Sequence, residues 1–211
     1  MTSPGDASQN RPTRERIKAI AEDLYVLRGH DGFSFGDIAE AVGTTRANIH
    51  HHFGNKRRLM GELIDGFVTD AEVRIAQHWT GGDVAFRERF QRQLDDLRRF
   101  YVRFNPREGD RNVWSPVSRI RLDLPVLGDV AVAALERVNV VYERSLREAI
   151  ADAVRDGDLP DGTPVDALTQ ILRVTFLSCG PVTQDTGSFA EIERLFEALR
   201  AALFDRHPSG R

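Results

Sequence analysis

Three consecutive histidines, His50-His51-His52, are followed closely by three consecutive cations, Lys56-Arg57-Arg58. Imidazoles ligate metals, and Lys and Arg hold phosphates, so this segment offers two chemistries. Helix geometry separates them. Successive residues on a helix lie about 100° apart, so the three rings fan around the axis instead of converging. Ligand pairs on a helix use three- or four-residue spacing, and from His50 those positions hold Phe53 and Gly54. His30 and His78 stand too far along the chain to be assigned as partners. No metal ligand and no cofactor is therefore assigned.

A second candidate is Gly32-Phe33-Ser34-Phe35-Gly36, which matches the G-x-S-x-G pattern of a hydrolase nucleophile elbow, with Asp residues and His207 downstream. The elbow needs a strand before the serine and a large parallel sheet around it. Here a helical stripe precedes it, and Ser34 with Asp37 reads as a capping box opening a helix. No catalytic residue is assigned, and no enzyme is expected. The single cysteine, Cys179, excludes an internal disulfide and falls on an apolar helical face, where an inert core role is expected.

The elements that position these residues are helical throughout. The stripe Ile17, Ile20, Ala21, Leu24, Tyr25 follows Thr13, which is expected to cap a first helix. A short helix over 35–42 ends at Gly43, and Thr45 opens another through Phe53. A fourth follows Asn55. Beyond residue 80, stripes run over 86–104 and 131–153. Thr163-Pro164 opens a helix expected to stop at Gly180-Pro181, and Ser188 with Glu191 opens a final one. No alternating strand pattern and no internal repeat is present. The expected fold is all-α with about nine helices, four short and then five mostly longer.

The 211 residues are 41% hydrophobic and 29% charged with a net charge of -3, an ordinary globular composition. No apolar run is long enough to span a bilayer, and residues 1–12 read as a disordered lead-in, so a cytoplasmic protein is expected. Overall charge gives no hint of nucleic acid, but its distribution does. Residues 1–67 hold nine cations and nine acids, yet 41–61 contain no acid alongside Arg46, Lys56, Arg57 and Arg58, and Arg11, Arg14, Arg16 and Lys18 form a second cluster. Lys56-Arg57-Arg58 occupies a helix's first turn, where cations cost about 0.3–1 kcal/mol each against the macrodipole. A phosphate brought to that end would reverse the sign.

Residues 14 to 67 resemble the DNA-binding domain of the tetracycline-repressor (TetR) family of bacterial regulators. The resemblance rests on Arg16-Ile17, Ala21 to Tyr25 and Gly29, then Ser34-Phe35, Asp37-Ile38-Ala39 and Val42-Gly43. It ends on Thr45, Ile49, His52-Phe53-Gly54-Asn55-Lys56 and Leu59. It implies a helix-turn-helix DNA-binding domain over 13–67 and a ligand-binding and dimerisation domain over 68–211. By the same resemblance the recognition helix is 45–52, and the DNA-contacting residues are Ser34, Thr44, Thr45, Arg46, Asn48, His50, His51, His52 and Lys56. Arg46 and Asn48 are the candidates for base edges. The partners implied are double-stranded DNA carrying an inverted repeat, a small, mostly apolar effector, and a second copy held through the last two helices. The expected function is a ligand-released repressor. A DNA-binding protein with no ligand control is the alternative, although it would leave most of residues 68–211 unexplained.

Candidate lining for the effector cavity is Phe67, Phe90, Phe100, Tyr101, Phe104, Trp114, Tyr142 and Phe176, each of which could equally be plain core. The family often carries Tyr at the position of His50, and frequently another aromatic at His51. Imidazole changes charge near neutrality. DNA affinity is accordingly expected to fall as pH rises through about 6 to 8, as the histidines lose their positive charge. Titration of affinity at fixed salt checks this, and a flat profile contradicts it.

Overall fold

The computed structural model describes residues 13–81 and 84–204; the expected lead-in over 1–12 and His207 lie outside the described residues. Within them there are ten helices and no strand. The first three are α1 (Thr13–Arg28), α2 (Phe35–Val42) and α3 (Arg46–Phe53). A long α4 (Lys56–Trp79) follows, then α5 (Phe86–Phe104), two short helices α6 (Pro116–Leu122) and α7 (Leu124–Leu127), α8 (Asp129–Arg155), α9 (Val165–Thr186) and α10 (Ala190–Phe204).

Local chemistry sets the first boundaries. Ser34 Oγ accepts hydrogen bonds from the Gly36 and Asp37 backbone N–H groups, and the Asp37 carboxylate accepts from the Ser34 N–H in return, a complete capping box. Gly43 ends α2 in the left-handed conformation at φ 73° and ψ 43°, its N–H reaching the Ala39 and Glu40 carbonyls. Thr45 then caps α3 by accepting from the Asn48 N–H, so one residue separates the stop of one helix from the cap of the next. Asn55 caps α4 in the same way through the Arg58 N–H.

Buried faces of these four helices meet in one small core: Ile17, Ala21 and Tyr25 from α1, Ile38 from α2, Ile49 and Phe53 from α3, and Leu59 and Leu63 from α4. The same α4 continues to Trp79 and lies along α8, which in turn packs on α9. A second core forms there around an aromatic cluster in which Phe176 stacks on Trp79 and on Phe196, with Phe90 and Tyr142 tilted against it.

Four expectations are corrected. The fourth helix is long, at 24 residues, and runs without a break across position 67. Two short helices, α6 and α7, occupy a stretch for which none was expected. Ser115 caps α6 by accepting from the Ser118 N–H, and Pro116 opens it. At α9, Thr163 supplies no cap; the helix starts at Val165 without a side-chain cap bond. Nor does α9 stop at Gly180-Pro181. It continues to Thr186: proline removes only the N–H that would bond the Leu177 carbonyl, and side-chain bonds hold the turn beyond it. Thr183 Oγ1 donates to the Gly180 carbonyl and accepts from the buried Trp114 Nε1 at 2.7 Å, and Arg111 donates to the Gln184 carbonyl.

The Gly43 conformation decides how α3 is presented. Gly43→Ala places a Cβ in the left-handed region and is expected to cost about 1 kcal/mol, lowering Tm by about 2–4 °C. Calorimetry checks it, and an unchanged Tm contradicts the assignment.

Candidate nucleic-acid interface and interior cavity

Helix α3 buries Ile49 and Phe53 and leaves Thr45, Arg46, His50 and His51 exposed, with Thr44, Asn48 and His52 half-buried. The triplet does fan out. His50 packs edge-on against Phe35 at 4.7 Å and its Nδ1 donates to the Gly54 carbonyl at 2.8 Å, while His51 and His52 turn to the other side and meet each other edge-on. Among the described residues no three of His, Cys, Asp and Glu are grouped as a metal would need. The Asn48 amide donates to Thr44 Oγ1 at 3.0 Å, which holds both side chains at the start of the helix.

Several cations of the basic edge are committed within the chain. Lys56 donates to the Phe33 carbonyl at 2.6 Å and sits over the Phe33 ring, which ties the start of α4 to the loop before α2. Arg16 reaches the Val42 carbonyl at the end of α2, and Arg14 pairs with Glu62 over the Phe53 ring. Arg46 and Arg57 stay exposed, as does Arg58, whose Nε lies 3.7 Å from Glu62. Arg11 lies outside the described residues. Ser34 is occupied as the α2 cap and donates to Asp37, whose carboxyl that bond and the backbone bond hold below its usual pKa. Helices flank the GFSFG segment on both sides, so the nucleophile-elbow pattern has no strand to stand on.

The other feature is a partly open cavity of about 70 Å³ lined by α4, α5, α6, α8 and α9. Of the eight aromatic candidates, Phe67, Phe100, Trp114 and Tyr142 line it. Phe90 and Phe176 belong to the packed aromatic cluster instead, Tyr101 packs on Trp114 and Phe189, and Phe104 borders a separate pocket near Asp23 and Arg103. Sequence reasoning missed the polar side of this cavity: Arg74, His78, Gln93, Asp96 and Ser115. Trp79 donates its indole N–H to the Gln93 side-chain oxygen at 3.0 Å. Burial pushes the pKa of Asp96 up, but the contact with His78 and the charges of Arg74 and Arg99 together outweigh it and hold the carboxyl below its usual range. Cys179 is buried, and burial pushes its thiol up to about 12, so it has no thiolate character at neutral pH.

One short helix joins the two features. The residues before and at the start of α6, Ser115, Pro116 and Val117, form a wall of the cavity. One turn later Arg119 donates from Nε to the Val26 carbonyl at 2.9 Å and from Nη2 to the Leu27 carbonyl at 3.0 Å, satisfying the end of α1. Asp123 accepts from the His30 backbone N–H at 2.8 Å. Gly29 makes this approach feasible: its φ is 75°, and a Cβ there would lie 3.0 Å from Asp123 Oδ1.

A helix-turn-helix with an exposed second helix, attached to a larger helical body, is the arrangement of a DNA-binding regulator. Residues 17–63 match the model for bacterial regulatory proteins of the tetR family. KstR2, an HTH-type transcriptional repressor of Rhodococcus jostii, is 33% identical over 72 residues, covering 33% of this chain and 35% of that protein. ArpR, a probable HTH-type transcriptional regulator of Pseudomonas putida, is 28% identical over 160 residues, covering 73% and 71%. The chain thus spans about a third of KstR2 and about 71% of ArpR. The fold is shared with a TetR-family regulator from Agrobacterium tumefaciens at a TM-score of 0.73 and 19% identity, covering 93% of this chain and 99% of that one. It is shared also with reduced NemR of E. coli at 0.72 and 15%, covering 94% and 99%. Residues 17–63 thus carry the match to tetR-family regulatory proteins, and the chain as a whole shares the fold of TetR-family regulators. No helix among its described residues is long and apolar enough to cross a membrane.

Proposed function

We propose that the protein is a repressor that binds an inverted-repeat operator as a homodimer and is released from it by a small, mostly apolar molecule. The observation that carries this reading is the double role of α6, which walls the cavity at one end and grips the end of α1 at the other. Residues 13–67 read DNA and residues 68–211 bind effector and partner. Arg46 reads a base edge and Asn48 a second one. Thr44, Thr45, His50, His51 and His52 contact the backbone, with Arg57 and Arg58 beside them at the start of α4. Ser34 and Lys56 act mainly by fixing the helices around α3, since both are engaged within the chain.

For the dimer, Leu168, Leu172 and Phe176 of α9 are buried within the chain, while Ile171 and Val174 of the same helix and Leu195 of α10 are exposed. An apolar second face on the last two helices suits a four-helix bundle with a second copy. Two-fold symmetry then presents two α3 helices to successive turns of the major groove.

The cavity of about 70 Å³ is smaller than the volume an aromatic ring requires, so a ligand enters by displacing its walls. Displacing the start of α6 moves Arg119 and Asp123 with it, and α1 follows. Ligand affinity therefore differs between the two dispositions of the DNA-reading helices, which is the condition for allosteric control.

Selection of bound sequences from random duplex DNA tests the reading. A palindromic consensus is expected, and Arg46→Ala is expected to lose about 1–3 kcal/mol of affinity and to relax preference at one position per half-site. An asymmetric consensus, or none, contradicts it.

A further inference from the structure

Resting on that reading of the cavity, we infer the chemical class of its ligand: a neutral, largely aromatic molecule bearing a hydroxyl, taken up by His78 and Asp96. His78 Nε2 is buried and has no hydrogen-bond partner among the described residues. Asp96 Oδ2 lies 3.5 Å from it, too long for a good hydrogen bond. Both residues line the cavity. A hydroxyl placed beside them donates its proton to Asp96 and accepts from the His78 N–H, which satisfies the orphaned nitrogen and gives the carboxylate an additional donor. A group with only acceptors cannot do both, and a hydrocarbon does neither, leaving a buried polar nitrogen unpaired.

Charge excludes the other classes. Asp96 is ionised and is already balanced by Arg74, with Nε at 3.6 Å, and by Arg99, with Nη2 at 3.4 Å. The Arg74 guanidinium also lies over the Phe100 ring, which fixes it at the cavity edge. A carboxylate ligand brings a second anion to Asp96, and an ammonium ligand brings another cation beside Arg74. Either adds a buried charge that the existing set does not compensate. Of the other walls, Gln93 is engaged by the Trp79 indole and Ser115 caps α6, while Phe67, Ile75, Leu97, Trp114 and Val138 are apolar and suit a ring system.

Isothermal titration of the full-length protein with four ligands on one scaffold tests this: naphthalene, 2-naphthol, 2-naphthoate and 2-naphthylmethylammonium. The hydroxyl compound is expected to bind about ten-fold or more tighter than each of the other three. In His78→Leu the advantage of 2-naphthol over naphthalene is expected to fall by about three-fold or more, the bond to Asp96 remaining, and an unchanged advantage overturns the role of His78. Retained naphthalene binding serves as the control that the cavity is intact. Equal affinities for naphthol and naphthalene in the unaltered protein, or preference for a charged member, overturn the class while leaving the cavity reading in place. Absence of binding by all four overturns both. The ranking in the unaltered protein decides the question even if the variant fails to fold.

Discussion

The contact on which the rest of this structure depends is the grip of α6 on the end of α1. Arg119 satisfies two carbonyls that α1 leaves open, and Asp123 takes the His30 N–H just beyond. These bonds link residues more than ninety positions apart in the chain. Charge-assisted hydrogen bonds of this kind each contribute about 1.5–3 kcal/mol, and they are directional, so the end of α1 must follow the orientation of α6. Burial, and then the nearby Asp123 charge, raise the pKa of Tyr25 well above its ordinary value, in keeping with a phenol set in the same junction. Helix α4 makes the other connection, running unbroken from the DNA-reading core into the larger body. The two-part design thus leaves little slack between the cavity and α3.

Within the body, two interiors with different physics lie side by side. The cluster of Trp79, Phe90, Phe176 and Phe196 is closely packed and apolar, and its stability comes from area removed from water. Next to it the cavity carries Asp96, Arg74, His78 and Gln93, groups that are costly to bury and that persist because they balance one another. Trp79 bridges the two, its ring in the cluster and its N–H on Gln93. A void beside balanced charges suits recognition better than it suits packing.

The DNA-reading half was legible in the sequence because its signals are local. Ser34 with Asp37, Gly43, Thr45 and Asn55 each declare a helix boundary within four residues, and all four fall where the spacing put them. The body was less legible because its decisive contacts are distant. The proline at 181 reads as a stop until Trp114 and Arg111 are found holding the next turn. Helix α6 carried a readable start in Ser115-Pro116, but its short apolar pattern hid it. Aromatic residues were natural cavity candidates, and four of eight line it. Helical periodicity sends charged positions outward, so Asp96 and His78, which turn inward as a pair, gave no signal that spacing alone could catch.

The central claim is that α6 transmits cavity occupancy to α1 through Arg119. Its most direct test is the affinity for the selected duplex with and without saturating 2-naphthol, measured in the unaltered protein and in Arg119→Met. The account predicts that 2-naphthol weakens DNA binding by about ten-fold or more in the unaltered protein. In Arg119→Met the compound should still bind, yet leave DNA affinity within about two-fold of its unliganded value. An Arg119→Met protein that releases DNA as fully as the unaltered one contradicts it.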